Sequence, residues 1–184
     1  QIREKLNKGN RLYIDGLQKM YPKKNYYPDA NSTMRFTYGS VGDYDGGEAI
    51  HYDYYTTIDG VFEKEDPSSE EFIIPDKLRE LYEAGSYGRY ADKNGKLRVN
   101  FISNNDITGG NSGSPVINAW GELVGTAFDG NWEAMSGDIA FEKEVQRTIS
   151  VDIRYTLFII EKFANAEHLI REMTIAPTRK LDNK

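Results

Sequence analysis

Thr108-Gly109-Gly110-Asn111-Ser112-Gly113-Ser114-Pro115-Val116 is the stretch on which the reading of this chain turns. Glycines on both sides of Ser112 let the backbone bend sharply and approach a ligand closely. Pro115 delivers the loop into a strand. A serine nucleophile needs an exposed hydroxyl on such a turn, with backbone N–H groups free to receive a developing oxyanion. Ser112 meets that need on spacing. A Gly/Asn/Ser hairpin loop without chemistry would share the spacing, and these residues alone leave both open.

Outward from the loop, short strands dominate. Pro115–Ala119 and Leu123–Phe128 flank the turn at Trp120-Gly121. Met34–Tyr38, Ile50–Ile58 and Leu97–Ser103 are similarly short, rich in β-branched or aromatic residues, and bounded by Gly, Asn and Asp. Thr148–Arg154 is a further strand. Helical spacing is predicted over Ile2–Met20, through Ile2, Leu6, Leu12, Tyr13, Leu17 and Met20, weakened by Gly9 and Gly16. Pro75–Ala84 reads as a short helix with Pro75 and Asp76 suited to its first turn. Tyr155–Met173 reads as a terminal helix. The turn-rich stretch Tyr21–Asn31, with Pro22 and Pro28, marks a boundary between residues 1–29 and 30–184. Glu63–Glu71 reads as a solvated acidic loop, and Pro177–Lys184 as a frayed tail. The expectation is a mainly β architecture, an antiparallel sheet or barrel with helices at both ends.

Composition removes several functional classes. The 184 residues, 39% hydrophobic and 28% charged, suit one globular domain with an appendage. The net charge of −6 argues against a broad nucleic-acid-binding face. Without Cys there is no disulfide, thiolate nucleophile or Cys-ligated metal. The longest strongly apolar run, Tyr155–Ile160, is too short to span a bilayer. A start at Gln1 instead of Met hints at a mature product or an excised piece, so an upstream signal would be invisible. There is no His-Glu-x-x-His site, P-loop or Gly-x-Gly-x-x-Gly, so neither metal nor cofactor is expected. The tyrosine clusters (Tyr26-Tyr27, Tyr52, Tyr54-Tyr55, Tyr87, Tyr90) read as packing residues in preference to a carbohydrate- or peptide-binding surface.

Gly110-Asn111-Ser112-Gly113-Ser114-Pro115 resembles the nucleophile motif of chymotrypsin-fold serine peptidases. Bacterial glutamyl endopeptidases carry a similar motif. The likeness extends further toward the bacterial dipeptidyl-peptidase 7 and 11 family. It runs through Phe36-Thr37-Tyr38-Gly39-Ser40-Val41, Tyr54-Tyr55-Thr56-Thr57, Asn100-Phe101, Phe128-Asp129, Trp132-Glu133 and Val151-Asp152-Ile153-Arg154-Tyr155 into Phe158-Ile159-Ile160. It covers most of residues 30–175. This resemblance implies that residues 30–184 form the second barrel of a chymotrypsin-like double β-barrel with a C-terminal helix. Residues 1–29 would then end an inserted helical domain.

The same resemblance implies a serine-type dipeptidyl aminopeptidase. Ser112 would be the nucleophile, with the N–H groups of Gly110 and Ser112 as oxyanion donors. Asp129 would meet the free α-amino group of the substrate, and Gly130 would line the primary specificity pocket. In the family, Gly there accompanies a preference for bulky apolar residues and Arg a preference for Asp or Glu. Peptides with a free N-terminus, an N-terminal part of the same enzyme, a homodimer and a periplasmic or secreted location are implied with it. From the residues alone, Asp129 reads in preference as a turn residue of Asp129-Gly130-Asn131, a strong hairpin signal.

The chain departs from the pattern in its bases. A peptidase of this kind needs a His and an orienting Asp, and only His51 and His168 occur. His51, in Ala49-Ile50-His51-Tyr52-Asp53, reads as a strand-surface or dimer-contact residue. His168 reads as a solvated or packed helix residue. The family's His and Asp lie far upstream, so this segment alone is expected to be inert. A glutamyl endopeptidase would carry a pocket His in the strand near Phe128, and none stands there. A non-catalytic binding or assembly module retaining the loop is the remaining alternative.

Overall fold

A computed structural model describes residues 2–24, 26, 31–137 and 140–177. The chain divides into two compact units, Gln1–Met34 and Arg35–Lys184. The first contains α1 (Ile2–Met20), formed with the bounds its apolar spacing predicts; none of its residues is buried.

In the second unit, a two-stranded hairpin pairs β1 (Tyr44–Gly47) with β2 (Ile50–Tyr52). A five-stranded antiparallel sheet follows, built from β3 (Tyr55–Thr57), β4 (Arg98–Ser103), β5 (Pro115–Ile117), β6 (Leu123–Gly130) and β7 (Thr148–Asp152). Its order is β3-β4-β7-β6-β5, so β7 lies in the middle and the strands nearest the serine loop end the sheet. Helices α2 (Asp59–Glu63) and α3 (Asp76–Glu83) connect β3 to β4. After β7, α4 (Ile153–Phe158) runs into a π-turn at Ile159–Phe163, and α5 (Glu167–Arg171) follows.

Several expectations need correction. The mainly β description gives way to a mixed one: among the described residues the sheet is open, not a closed barrel, and helices supply most of the apolar core. Ile58, Ile74, Leu78, Tyr87, Tyr90, Leu97, Leu157, Phe158 and Ile170 form that core. The buried side of central β7 is polar instead: Thr148, Ser150 and Asp152. Asp152 caps α4, accepting from the Arg154 N–H at 2.9 Å, which also explains why the strand stops at Asp152.

The run Ile50–Ile58 is two strands, split at Asp53-Tyr54, where the Asp43 carboxylate accepts from the Tyr54 N–H. Met34–Tyr38 is not a strand. Its neighbourhood is tied down by side chains, with Thr37 Oγ1 donating to Asp106 O and Ser40 N–H to Asn104 Oδ1. The terminal helix breaks at Asn165, whose φ of +54° lies in the left-handed region that Asn tolerates. Within Glu63–Glu71, the ends are helical, closing α2 and opening a 3-10 turn at Glu70–Phe72. The tail expected to fray at 178–184 and the Tyr27 of the first tyrosine cluster lie outside the described residues.

Candidate active site

Two tight turns in succession build the Thr108–Ser114 loop. The Asn111 N–H donates to Thr108 O (3.2 Å) and the Ser114 N–H to Asn111 O (2.9 Å). Gly110 and Gly113 take φ of +97° and +83°, conformations that strain any residue with a β-carbon. The Gly113 N–H donates to Ala127 O (2.8 Å) and the Ala127 N–H to Ser114 O (3.0 Å), which carries the β5–β6 pairing into the loop. The Gly110 and Ser112 N–H groups make no hydrogen bond among the described residues. Ser112 is exposed, and its Oγ donates to Phe128 O at 3.1 Å.

That carbonyl is presented by a β-bulge. Pairing of β6 with β7 slips between Ala127 and Asp129, leaving Phe128 as an extra residue on β6. Bulges of this kind re-aim side chains at the rims of sheets. Asp129 is exposed beyond it, with Oδ1 accepting from the Gly130 N–H at 2.8 Å. A β-carbon added to Gly130 would lie 2.9 Å from Ala134 Cβ, so the 3-10 turn Trp132–Ser136 closes on this glycine. Trp132 and Met135 of that turn are exposed. The loop and the Phe128–Gly130 segment therefore adjoin.

Neither histidine joins them. His51 lies on the exposed β1–β2 hairpin with Nδ1 at 2.8 Å from Asp45 Oδ1, and that hydrogen bond chiefly raises its pKa above the ordinary imidazole value. Asp43, His51 and Asp53 each offer one ligand atom within 4.8 Å of the others. All three are exposed, with His51 Nε2 at 3.9 Å from Asp43 Oδ2 and 3.7 Å from Asp53 Oδ1. His168 is exposed on α5.

Arg35 is the residue that sequence reasoning missed. Its Nη1 donates to Thr108 Oγ1, and its Nη2 donates to Asn111 Oδ1 (2.8 Å) and Gly109 O (3.2 Å). Nothing in its own neighbourhood signals these partners, which stand 73–76 residues away.

The Peptidase S46 family model matches residues 1–175, and the chain belongs to that family. It is 58% identical over 166 residues to dipeptidyl-peptidase 7 of Phocaeicola vulgatus, covering 90% of this chain and 23% of that protein. Against dipeptidyl-peptidase 7 of Porphyromonas gingivalis the identity is 54%, over 92% of this chain and 24% of the relative. Against the Asp/Glu-specific dipeptidyl-peptidase of P. gingivalis it is 48%, with the same coverages. The crystal structure of Porphyromonas endodontalis DPP11 in complex with the dipeptide Arg-Glu superimposes with a TM-score of 0.80 at 49% identity, over 87% of this chain and 23% of that one. The chain thus spans about a quarter of the length of the relatives it matches.

Proposed function

We propose that this segment carries the nucleophile of a serine-type dipeptidyl-peptidase that releases N-terminal dipeptides and favours an apolar second residue. One observation carries the reading: within an S46 sequence, exposed Ser112 stands between two left-handed glycines, and among the described residues the Gly110 and Ser112 amides beside it make no hydrogen bond. Of the two peptidase readings of the loop, family membership favours this one.

In this reading the sheet is part of the second barrel of a chymotrypsin-like fold. Ser112 Oγ attacks the carbonyl after the second substrate residue and gives its proton to a base from the rest of the enzyme. The Gly110 and Ser112 N–H groups receive the oxyanion. The new peptide amine leaves, and water then releases the dipeptide from the acyl-serine. A dipeptide-releasing enzyme must measure from the substrate ammonium, and the exposed Asp129 carboxylate is the group suited to that cation. Without a side chain, Gly130 lets a substrate side chain approach the β6 backbone, although Ala134 fills the direction a β-carbon would take; burial of an apolar side chain contributes about 1.5–3 kcal/mol. The identities lean the same way, at 50–58% to dipeptidyl-peptidase 7 proteins against 46–49% to Asp/Glu-specific ones. The homodimer and the periplasmic or secreted location belong to this proposal.

The test uses the full-length enzyme with free-amine dipeptidyl chromogenic substrates differing in the second residue. Release of dipeptide with Leu preferred over Asp, abolished by Ser112→Ala, is the expected result. No release by the wild type, or full turnover by Ser112→Ala, overturns the proposal. The 184-residue segment alone is expected to release none.

A further inference from the structure

The peptide joining Gly109 to Gly110 carries the Gly109 carbonyl and the Gly110 N–H, and a trans peptide points the two in opposite directions. Whatever holds that carbonyl therefore aims that N–H. The local chain does little to hold it. Gly110 has φ of +97°, and no atom lies within 4 Å of where a Gly109 side chain would begin. Two successive glycines allow the peptide plane to rotate with little steric resistance. A rotated plane would place a carbonyl oxygen where a developing oxyanion needs a donor.

We infer that Arg35 is the positioning residue that locks this peptide in its donating orientation, an inference that rests on the proposed role of Ser112. Arg35 Nη2 donates to Gly109 O itself and to Asn111 Oδ1, and Nη1 to Thr108 Oγ1. Asn111 Oδ1 also accepts from the Thr108 N–H at 3.3 Å, so one amide oxygen ties the head of the loop to the guanidinium. A planar fork reaching three residues fixes rotation as well as position, which a single ammonium cannot do. These three partners are a carbonyl, an amide and a hydroxyl. None of the three is charged, so the fork is held by geometry and not by an ion pair within the loop.

The experiment compares full-length wild type with Arg35→Ala, Arg35→Lys, Ser112→Ala and Arg171→Ala. It measures kcat and KM on a free-amine substrate, the Ki of a dipeptide boronic acid, whose tetrahedral adduct needs the oxyanion donors, and the Ki of the product dipeptide. Arg35→Ala is expected to lower kcat by about 100-fold and to weaken the boronic acid comparably, with KM and product Ki within about threefold of wild type. Arg35→Lys recovers about tenfold of the loss, since one ammonium serves only some of the acceptors. Arg171→Ala, which removes a pair with Glu167 one helical turn away, matches wild type. Wild-type kcat in Arg35→Ala beside an inactive Ser112→Ala overturns the role of Arg35 alone. Equal weakening of boronic acid and product overturns it too, since that marks general loosening of the site. Turnover by Ser112→Ala overturns the nucleophile reading, and the inference with it. If Arg35→Ala does not fold, the same comparison in Arg35→Lys decides.

Discussion

A turn and the end of strand β6 adjoin at Ser112; Asp129 and Gly130 are strand residues paired with β7, not the hairpin turn their sequence suggests, and the two segments are held in different ways. Thr108–Ser114 is anchored from outside, by Arg35 reaching in from a distant part of the sequence. Asp129–Asn131 is anchored from within the sheet. The Asn131 N–H donates to Arg147 O (2.9 Å), and its Oδ1 accepts from the Arg147 N–H (2.8 Å). Its Nδ2 donates to Val145 O and Glu133 Oε2, both at 2.8 Å. Buried Arg147 donates onward to the carbonyls of Asp43, Lys143, Glu144 and Gln146 and packs its guanidinium on the Tyr44 ring. The second segment is continuous with the sheet, whereas the first joins it only at its Gly113-Ser114 end and has its head fastened by Arg35. Changes in the first should alter chemistry and spare stability; changes in the second should alter both.

Ser112→Ala gives the sharpest form of this contrast. In the full-length enzyme it is expected to lower kcat by about 10⁴-fold or more. The melting temperature should stay unchanged, because the exposed hydroxyl makes one hydrogen bond, to Phe128 O. A clear fall in melting temperature would break the contrast. Asp129→Asn comes next, with a loss of about 2–5 kcal/mol in transition-state stabilisation on free-amine substrates. Asn keeps an acceptor for the Gly130 N–H, so the strand end survives. N-acetylated substrates should be poor for wild type and little worse for the mutant; equal losses on both would reduce Asp129 to a structural residue.

Asn131→Ala should destabilise the protein by about 2–3 kcal/mol, through buried partners left unpaired, and should lower activity along with it. Denaturant titration beside turnover checks both, and a wild-type midpoint would erase the difference between the two segments. Gly130→Arg is a smaller effect. The new guanidinium can meet a substrate carboxylate, but its β-carbon collides with Ala134. The ratio of kcat/KM for Asp over Leu substrates should rise by about tenfold, and further when Ala134→Gly is added. An unchanged ratio in both variants would place Gly130 away from the pocket.

Glu161 offers the mildest test, far along the chain from both segments. The Tyr90 hydroxyl, with Lys162 and Arg89, holds its carboxyl down at about 2, against an ordinary 4.5. A lowered carboxylate pKa stabilises the fold at pH above 4.5 and loses that contribution as pH falls toward about 2. Glu161→Gln should therefore flatten the acid limb of stability in that window and leave kcat at neutral pH unchanged. A parallel fall in kcat would couple the helical core to the active loop.

What the sequence disclosed follows from the range of the forces involved. The Gly-Asn-Ser-Gly loop, α1, α3 and strands β4 to β7 are written in local spacing, and they form within a few residues of their expected bounds. The division of Ile50–Ile58 depends on Asp43 capturing the Tyr54 N–H, a contact between strands that no periodicity within the run records. α2 has five residues, too few for a helical repeat to register. Ser112, Asp129 and Gly130 stood out by motif and by family resemblance. Arg35 did not, because its partners are brought to it by folding, and Ala134 did not, because crowding at Gly130 exists only once the 3-10 turn closes.

The bulge at Phe128 also restricts how this surface can vary. Along β6 the buried positions are Gly125 and Ala127, and then Phe128 and Asp129 are both exposed, one after the other. A sheet counts in twos, and the bulge absorbs the extra residue, so that Asp129 stays opposite Ile149 and Gly130 opposite Thr148. Deleting Phe128 would leave those two pairings in place and remove the carbonyl that accepts from the Ser112 hydroxyl. Losing one residue here would therefore spare the faces of Asp129 and Gly130 and act on the serine instead. Three residues earlier even a substitution is barred, since a β-carbon on Gly125 would lie 2.5 Å from Val151 O.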